Sequence, residues 1–574
     1  MLHGTGSSRV VQRGTGHRAA DGNNRRAPPQ AGDGVRDAAS LLQSRSETRV
    51  KKYDAIIIGG GHNGLVTAAY LARAGKSVLV LERRPRVGGA AVTEEIFPGF
   101  KFSMFSYVVS LLRPEIIRDL DLPRHGLHIL PLESTVTPME NGDYLAAWGD
   151  HDETRRELYR HSPRDAEAYD EYGRLMHFMA QAVKPILGMV PPDPTSFSPG
   201  DLVGLLRLGK HFRGLGAERL HALVKLMTMS SADFLDEWFE TDVLKATKSA
   251  SGIIGTFLGP RSPGTAYVLL HHYMGELDGV FRAWGFAKGG TGAVSESIAS
   301  AARSFGAEIR CDAGVAKVLV RNGRATAVVL EGGDEVEASI VVSSLDPRRT
   351  FLQLLDSKDL PDEFVSDIRR FKFRGSSGKV NLALDGLPSF TCMPGIGRQH
   401  RGAFSISPSL DYVERAYDDA KYGEFSRRPY MDIVFPSMID PGMAPPGKHV
   451  MSIFVQYAPY TLNGGWTDAK REAFGDAVVN TVESFAPGFK AKILHRQVIT
   501  PLDIERITGL SEGNIFAGEL ALHQLFFLRP APGWAKFATP VRNFYQCGSG
   551  THPGGGIMGA SGRLAALRIL KDGR

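Results

Sequence analysis

The chain has 574 residues, 43% of them hydrophobic and 23% charged, and a formal net charge of +6; these are ordinary values for a globular protein, and the length supports three or four domain-sized units. The charge is local: residues 1–52 hold eight Arg, two Lys and four acids (Asp21, Asp33, Asp37, Glu47), while residues 53–574 hold 58 basic and 58 acidic residues, so the basic balance gives no argument for a nucleic-acid partner. No run of eighteen apolar residues marks a membrane-spanning helix, and Cys311, Cys392 and Cys547 form no C-x-x-C pair, which excludes thiol–disulfide chemistry as the main activity and fits a reducing compartment.

Residues 1–52, rich in Gly, Arg, Gln, Asn and Ser without an apolar period, read as a disordered basic extension. An Arg-rich presequence is the competing reading, although the segment is neither clearly acid-poor nor amphipathic. From Tyr53 the pattern is strand (Asp54–Ile58), glycine turn, helix (Leu65–Ala74) and strand (Ser77–Leu81). Residues 101–285 are mostly helical in pattern. A helix follows near Val294–Ser304, then strands near Ala307–Arg310, Val315–Val320 and Ala325–Leu330, the last two joined by the hairpin signal Asn322–Gly323. Ile340–Ser343 is a further buried strand. Strands are expected near Lys379–Leu384, Met431–Phe435 and Val450–Gln456, and the chain closes with strand Asn543–Cys547, a glycine loop and helix Gly562–Lys571.

Three blocks carry chemistry. The first is G-x-G-x-x-G at residues 59–64, where Gly59 serves a tight turn, Gly61 admits a pyrophosphate and Gly64 lets helix and strand pack; His62 and Asn63 lie at the helix N-terminus that faces the phosphates. Glu82 ends the second strand, where a carboxylate accepts ribose hydroxyls and repels a 2′-phosphate, which disfavours NADP. The second block continues from it through Arg83 to Gly88, Gly89 and Ala90, a glycine pair that lets the backbone pass close to an extended cofactor. The third spans residues 543–563, with Gly548, Ser549, His552 and Gly559 around a strand-to-helix turn. So many glycines cost backbone entropy, and a cradle for a flavin explains them better than a flexible loop. Together the blocks indicate FAD, and no metal site is expected. Gly289-Gly290-Thr291-Gly292 also precedes a helix, but Ala283–Lys288 before it is no apolar strand, so a second nucleotide unit is not expected.

With these motifs on view, the sequence from Tyr53 onward resembles the phytoene-desaturase and carotenoid-isomerase branch of FAD oxidoreductases, through YDAIIIGGGHNGLVTAAYLARAG, GGAAVTEEIFPGFKFSMFSYVVSLLRPEI, SSADFLDEWFE, GGTGAVSESIA, TPLDIER, LFFLRP and CGSGTHPGGGIMGASGR. The resemblance implies that Val315 lies against the adenine. The expected fold is α/β: a Rossmann-like FAD-binding domain of the two-dinucleotide-binding-motif type (53–100, 289–350 and 541–574), with an α+β substrate domain inserted in two segments (101–288 and 351–540).

The expected activity is hydride transfer from a hydrophobic small-molecule substrate to flavin, by oxidation, desaturation or isomerisation, with quinone or oxygen as acceptor. An FAD amine oxidase and a non-catalytic binding protein of the same fold are the alternatives. No residue carries a definite catalytic role. His271 and His272 read as satisfied core histidines, Lys379 reads as a lysine of the amine-oxidase kind with little support from its neighbours, and Arg261 and Arg529 read as anion contacts or loop caps. The Ser198–Gly216 segment mixes Leu and Val with Arg207, Lys210 and Arg213; it reads first as a lid or core helix, second as a peripheral membrane contact. The expected location is the mitochondrial matrix in a eukaryote, where the resemblance also implies a role in mitochondrial function, and the cytoplasm in a bacterium.

Overall fold

A computed structural model describes residues 52–277, 279–281 and 284–573; the expected N-terminal extension therefore lies outside the described residues, apart from residue 52. Strand β1 (Tyr53–Ile58), helix α1 (His62–Arg73) and strand β2 (Val78–Leu81) form the first unit. They are followed, after a long excursion, by α2 (Gly292–Ser304), β3 (Glu308–Arg310), β4 (Val315–Arg321), β5 (Arg324–Leu330) and β6 (Glu335–Ser343). After a second excursion come β7 (Phe544–Gln546) and α3 (Ala560–Asp572).

β3, β2, β1, β6 and β7 pair in parallel in that order. Near-continuous Ile, Val and Leu runs such as Ile56–Ile58 and Val78–Leu81, all buried, are what a parallel sheet covered on both faces requires. The N-terminal part of β6 pairs antiparallel with β5, and β5 with β4. Asn322 and Gly323 turn that hairpin with φ of 53° and 68°, the conformation an Asn-Gly pair favours.

The two excursions share a second sheet of seven strands. Its order is Ile493–Ile499, Ser377–Leu384, His449–Gln456, Tyr430–Val434, Ala403–Ile406, Ser134–Pro138 and Tyr144–Trp148, antiparallel throughout except where Ala403–Ile406 meets Ser134–Pro138. Residues 101–285 are mostly helical, as expected, and the last two strands add to that reading. They are short, and their place depends on strands more than 250 residues away, a non-local pairing that no local period announces.

This sheet has two different faces. Alternation puts Val380, Leu382, Met431, Ile433, Ile453 and Val455 on one side, packed on helices Leu410–Lys421 and Asp468–Phe485. The register pairs Ser405↔Asp432, Asp432↔Phe454, Phe454↔Lys379, Asn381↔Ser452 and Ser377↔Gln456 put polar groups on the other, also buried. Four polar atoms of that face, on Ser377, Asn381, Ser452 and Gln456, have no hydrogen-bond partner among the described residues.

Helix Pro199–Gly214 is not a core helix: Asp201 is its one buried residue, and Leu202, Val203 and Leu206 are exposed. That corrects the core alternative weighed for it. Among the described residues no helix is long and apolar enough to cross a membrane. Ile433 is fully buried beneath the helices; Ile433→Ala is expected to cost about 2–5 kcal/mol, seen as a lowered urea midpoint.

Candidate functional site

The glycine blocks meet in space. At Gly64, a Cβ would overlap the Gly59 carbonyl and stand 2.9 Å from Ser344 Oγ, and at Gly548 it would overlap the Ser344 carbonyl. Only glycine lets these backbones approach so closely. Ser344, just beyond β6, is the shared contact: its hydroxyl donates to the Gly59 carbonyl (2.9 Å) and its N–H to the Ile58 carbonyl. Sequence reasoning passed over it, and the small Ser-Ser pair closing an apolar strand was the available signal.

Glu82 is buried at the end of β2. Its Oε2 accepts from Gly60 N–H (2.6 Å) and its Oε1 from Arg84 N–H (2.9 Å). Each oxygen keeps a lone pair for a ribose hydroxyl. Val315, at the start of β4, is buried close by, since the Ala313 N–H donates to the Glu82 carbonyl. Arg83 is more than half exposed and directed to Glu331 (2.6 Å); the arginine that reaches the glycine pair is Arg84, through the Gly89 carbonyl (3.2 Å).

Gly88 N–H donates to the Gly60 carbonyl (2.9 Å), and Gly88 bridges Gly61 in parallel, so the second block lies alongside the first. Ala90 packs at the edge of the small cluster of Val92, Met104 and Phe105. Asn63 ties the first block to the third: its Nδ2 donates to Ser549 Oγ (3.0 Å) and its Oδ1 accepts from Gly562 N–H (3.3 Å). Gly559 caps α3 in the left-handed region. His552 donates from Nε2 to the Ile186 carbonyl (3.0 Å).

This arrangement fits a cofactor with a pyrophosphate. Where a side chain at Gly61 would project there is no protein atom within 4 Å, in contrast to the tight packing at Gly60 and Gly64. His62 Nε2 and His552 Nδ1 are buried polar atoms without a hydrogen-bond partner among the described residues, an arrangement that costs free energy unless a ligand or water completes it. Gly285–Ala287, before the Gly289–Gly292 run, is a short strand, but it pairs antiparallel with Ile129–Pro131, outside the nucleotide sheet.

The polar face of the second sheet lies beyond this cradle. Lys379 is buried; its ammonium donates to the carbonyls of Ser103 (2.9 Å) and Ser106 (3.5 Å) and stands 5.8 Å from the Tyr107 ring centre. Burial pushes its pKa down to about 7. The Tyr107 hydroxyl donates to Asp432 Oδ2 (2.7 Å), as does that of Tyr430 (2.7 Å). Asp432 in turn lines a cavity of about 1460 Å³, walled by Leu132, Leu145, Leu158, Trp148 and Trp284.

A family model described as flavin containing amine oxidoreductase matches residues 64–570. The chain belongs to that family. The pyridine nucleotide-disulfide oxidoreductase domain-containing protein 2 of Rattus norvegicus is 44% identical, over 91% of this chain and 94% of its own. A limonene dehydrogenase component of Castellaniella defragrans is 27% identical (92% and 96%), and the neurosporene-forming phytoene desaturase of Rhodobacter capsulatus 26% identical (90% and 93%). A putrescine oxidase variant shares the fold, with a TM-score of 0.59, 17% identity and 91% and 98% coverage. The cofactor is FAD, and the chain is an FAD-dependent oxidoreductase. The Rossmann-like α/β fold with its added substrate sheet is the one expected from the sequence.

Within this flavin family member the three cysteine thiols are all held towards the protonated form. Burial pushes the Cys547 thiol up to about 12 and Cys392 up to about 11, and Cys311 is raised too. The pair at 271–272 departs from its reading as satisfied core histidines at one member: His272 Nδ1 meets the Val268 carbonyl (3.0 Å), whereas the buried His271, beside the Gly555 backbone, makes no hydrogen bond of ordinary geometry among the described residues. Arg261 is exposed and paired with Asp411 (2.8 Å). Arg529 is fully buried, and its guanidinium donates to the carbonyls of Phe516, Gly518, Glu519, Gln524 and Ser549, so it holds a loop against the third block.

Gly61→Val is expected to leave the fold intact, because the protein leaves that space open, and to lower FAD affinity at least about tenfold, or 1.4 kcal/mol. A full flavin complement in the purified variant would place the pyrophosphate elsewhere. Burial pushes His271 down to about 3 and His552 to about 4, whereas unfolded histidine titrates near ~6.5. The unfolded state therefore binds more protons in that interval, and thermal stability is expected to fall as pH drops from about 6.5 towards 4. A Tm that stays level over that range would contradict the burial.

Proposed function

We propose that this chain is a dehydrogenase or desaturase of a hydrophobic small molecule, passing electrons on to a quinone or to oxygen. The observation that carries this reading is the large cavity against the substrate sheet, in which Leu, Ile and Trp side chains provide apolar surface among polar and charged groups that can orient a ligand. Two relatives named for limonene and phytoene, both hydrocarbons, point the same way. When bound, FAD supplies the hydride acceptor. The chain's own residues do the rest: the three glycine blocks and Glu82 hold the cofactor, the sheet and its loops exclude water, and Tyr107 stands between Lys379 and the cavity.

Lys379 favours amine oxidation as the second reading. A buried ammonium held only by backbone carbonyls, with its pKa brought to about 7, can give or take a proton near neutral pH. A membrane surface is the proposed source of a lipophilic substrate. Phe197, Leu202, Val203 and Leu206 are exposed on and just before helix Pro199–Gly214, which also carries Arg207, Lys210 and Arg213, a composition suited to anionic lipid.

The purified protein is expected to be yellow. Under anaerobic conditions its flavin band should bleach with limonene or phytoene, not with NADH, and recover with a soluble quinone. A protein that takes up no FAD sinks the enzyme reading, and bleaching by primary amines with peroxide release under oxygen selects the second.

A further inference from the structure

The cavity sets Leu and Trp side chains beside polar and charged ones such as Glu153, Lys248 and Arg398, and part of its lining comes from the substrate sheet. There Ser405, Tyr430 and Asp432, neighbours across two paired strands, reach it from the polar face of the sheet. Asp432 is 6% exposed. Both phenols that donate to it, Tyr107 and Tyr430, address the same oxygen, Oδ2. No lysine, arginine or histidine acts on it among the described residues; the groups around it are Tyr107, Tyr430 and Ser405. A carboxyl group removed from water without a cation is costly in a protein interior. A plain hydrocarbon would leave that cost in place, because it adds no donor to the hydroxyls of Tyr107, Tyr430 and Ser405.

We propose that this end of the cavity is a recognition site for a hydrogen-bond-donating terminus, a hydroxyl or an ammonium group, so that the substrate is amphipathic rather than a bare hydrocarbon. The inference rests on the cavity being the substrate chamber of the proposed oxidoreductase. The donor terminus sits against Asp432, with Ser405 and Tyr430 beside it, and the apolar remainder runs along the Leu and Trp side chains. Tyr107 links this end to Lys379, because its hydroxyl binds Asp432 while its ring lies 5.8 Å from the ammonium. Asp432 is then a specificity-determining residue, separate from whatever group meets the flavin.

Trp148 and Trp284 line the cavity and report binding through their fluorescence. The FAD-loaded full-length protein is titrated, without oxygen, with hexane, 1-hexanol and hexylammonium. At least one polar probe is expected to bind about tenfold more tightly than hexane, the gain of a charge-assisted hydrogen bond. Asp432→Leu should remove that advantage and leave hexane unchanged. Asp432→Asn, which keeps the shape and the contacts to both phenols, should weaken hexylammonium about tenfold and 1-hexanol much less, which identifies the source of the donor. Should Asp432→Leu not fold, Asp432→Asn and the ranking on the native protein still decide. Hexane binding as tightly as both polar probes, or affinities for them that Asp432→Leu and Asp432→Asn leave unchanged, overturns the proposal. Absence of a flavin spectrum would instead strike at the proposed enzyme, since the tryptophan titration does not depend on turnover.

Discussion

The structure depends on backbone segments from opposite ends of the sequence meeting where no side chain fits. Gly64 lies against Gly59 and Ser344, and Gly548 lies against Ser344. This junction forces β6 between β1 and β7, so that residues near 59, 344 and 548 arrive at one edge of the parallel sheet. Everything between must leave and return, which explains why two long excursions exist and why they share a sheet of their own. The Asn63 bridge to Ser549 and Gly562 then fastens the first helix to the last. The cofactor cradle is thus a consequence of how the core closes rather than a loop added to it.

Most of the cradle was legible from sequence because its requirements are local. A short apolar strand, a glycine turn and a capped helix announce themselves within twenty residues, as does the Asn322–Gly323 hairpin. Glu82 was readable because strand length fixes where an acid must fall. Ser344 was not, since its role consists of touching three glycines, Gly59, Gly64 and Gly548, each more than 200 residues from it in sequence. Arg83 and Arg84 illustrate the same limit at short range: adjacent side chains on an extended segment diverge, and only the fold decides which reaches the Gly89 carbonyl. In the substrate sheet, strands such as Ser134–Pro138 pair with partners hundreds of residues distant, and the pattern of a five-residue strand does not reveal such a partner.

Buried charge was the least legible feature of all. Lys379, Asp432 and Arg529 are each buried, yet among the described residues none is matched by an opposite charge. Lys379 rests on two carbonyls, Arg529 on five, and Asp432 on two phenols with the Ser405 hydroxyl beside them. A sequence scan looks for complementary residue types, whereas here the partners are main-chain oxygens and hydroxyls that any sequence carries. Such dipoles soften the loss of hydration without neutralising the charge.

That difference bears on what the interior can do. A buried ion pair would cancel its own field and fix both protonation states, whereas a charge held by dipoles keeps its field and can still exchange a proton. Burial brings Lys379 to about 7, near the working range of a general acid or base, and leaves Asp432 a raised carboxyl at the wall of the chamber. The helices beneath the substrate sheet supply the apolar packing that holds the polar face rigid, because its reverse side is continuous Val, Ile and Leu core. One sheet therefore performs two tasks through the alternation of its strands. Its odd and even positions separate stability from chemistry, and a change of one residue in register would exchange them.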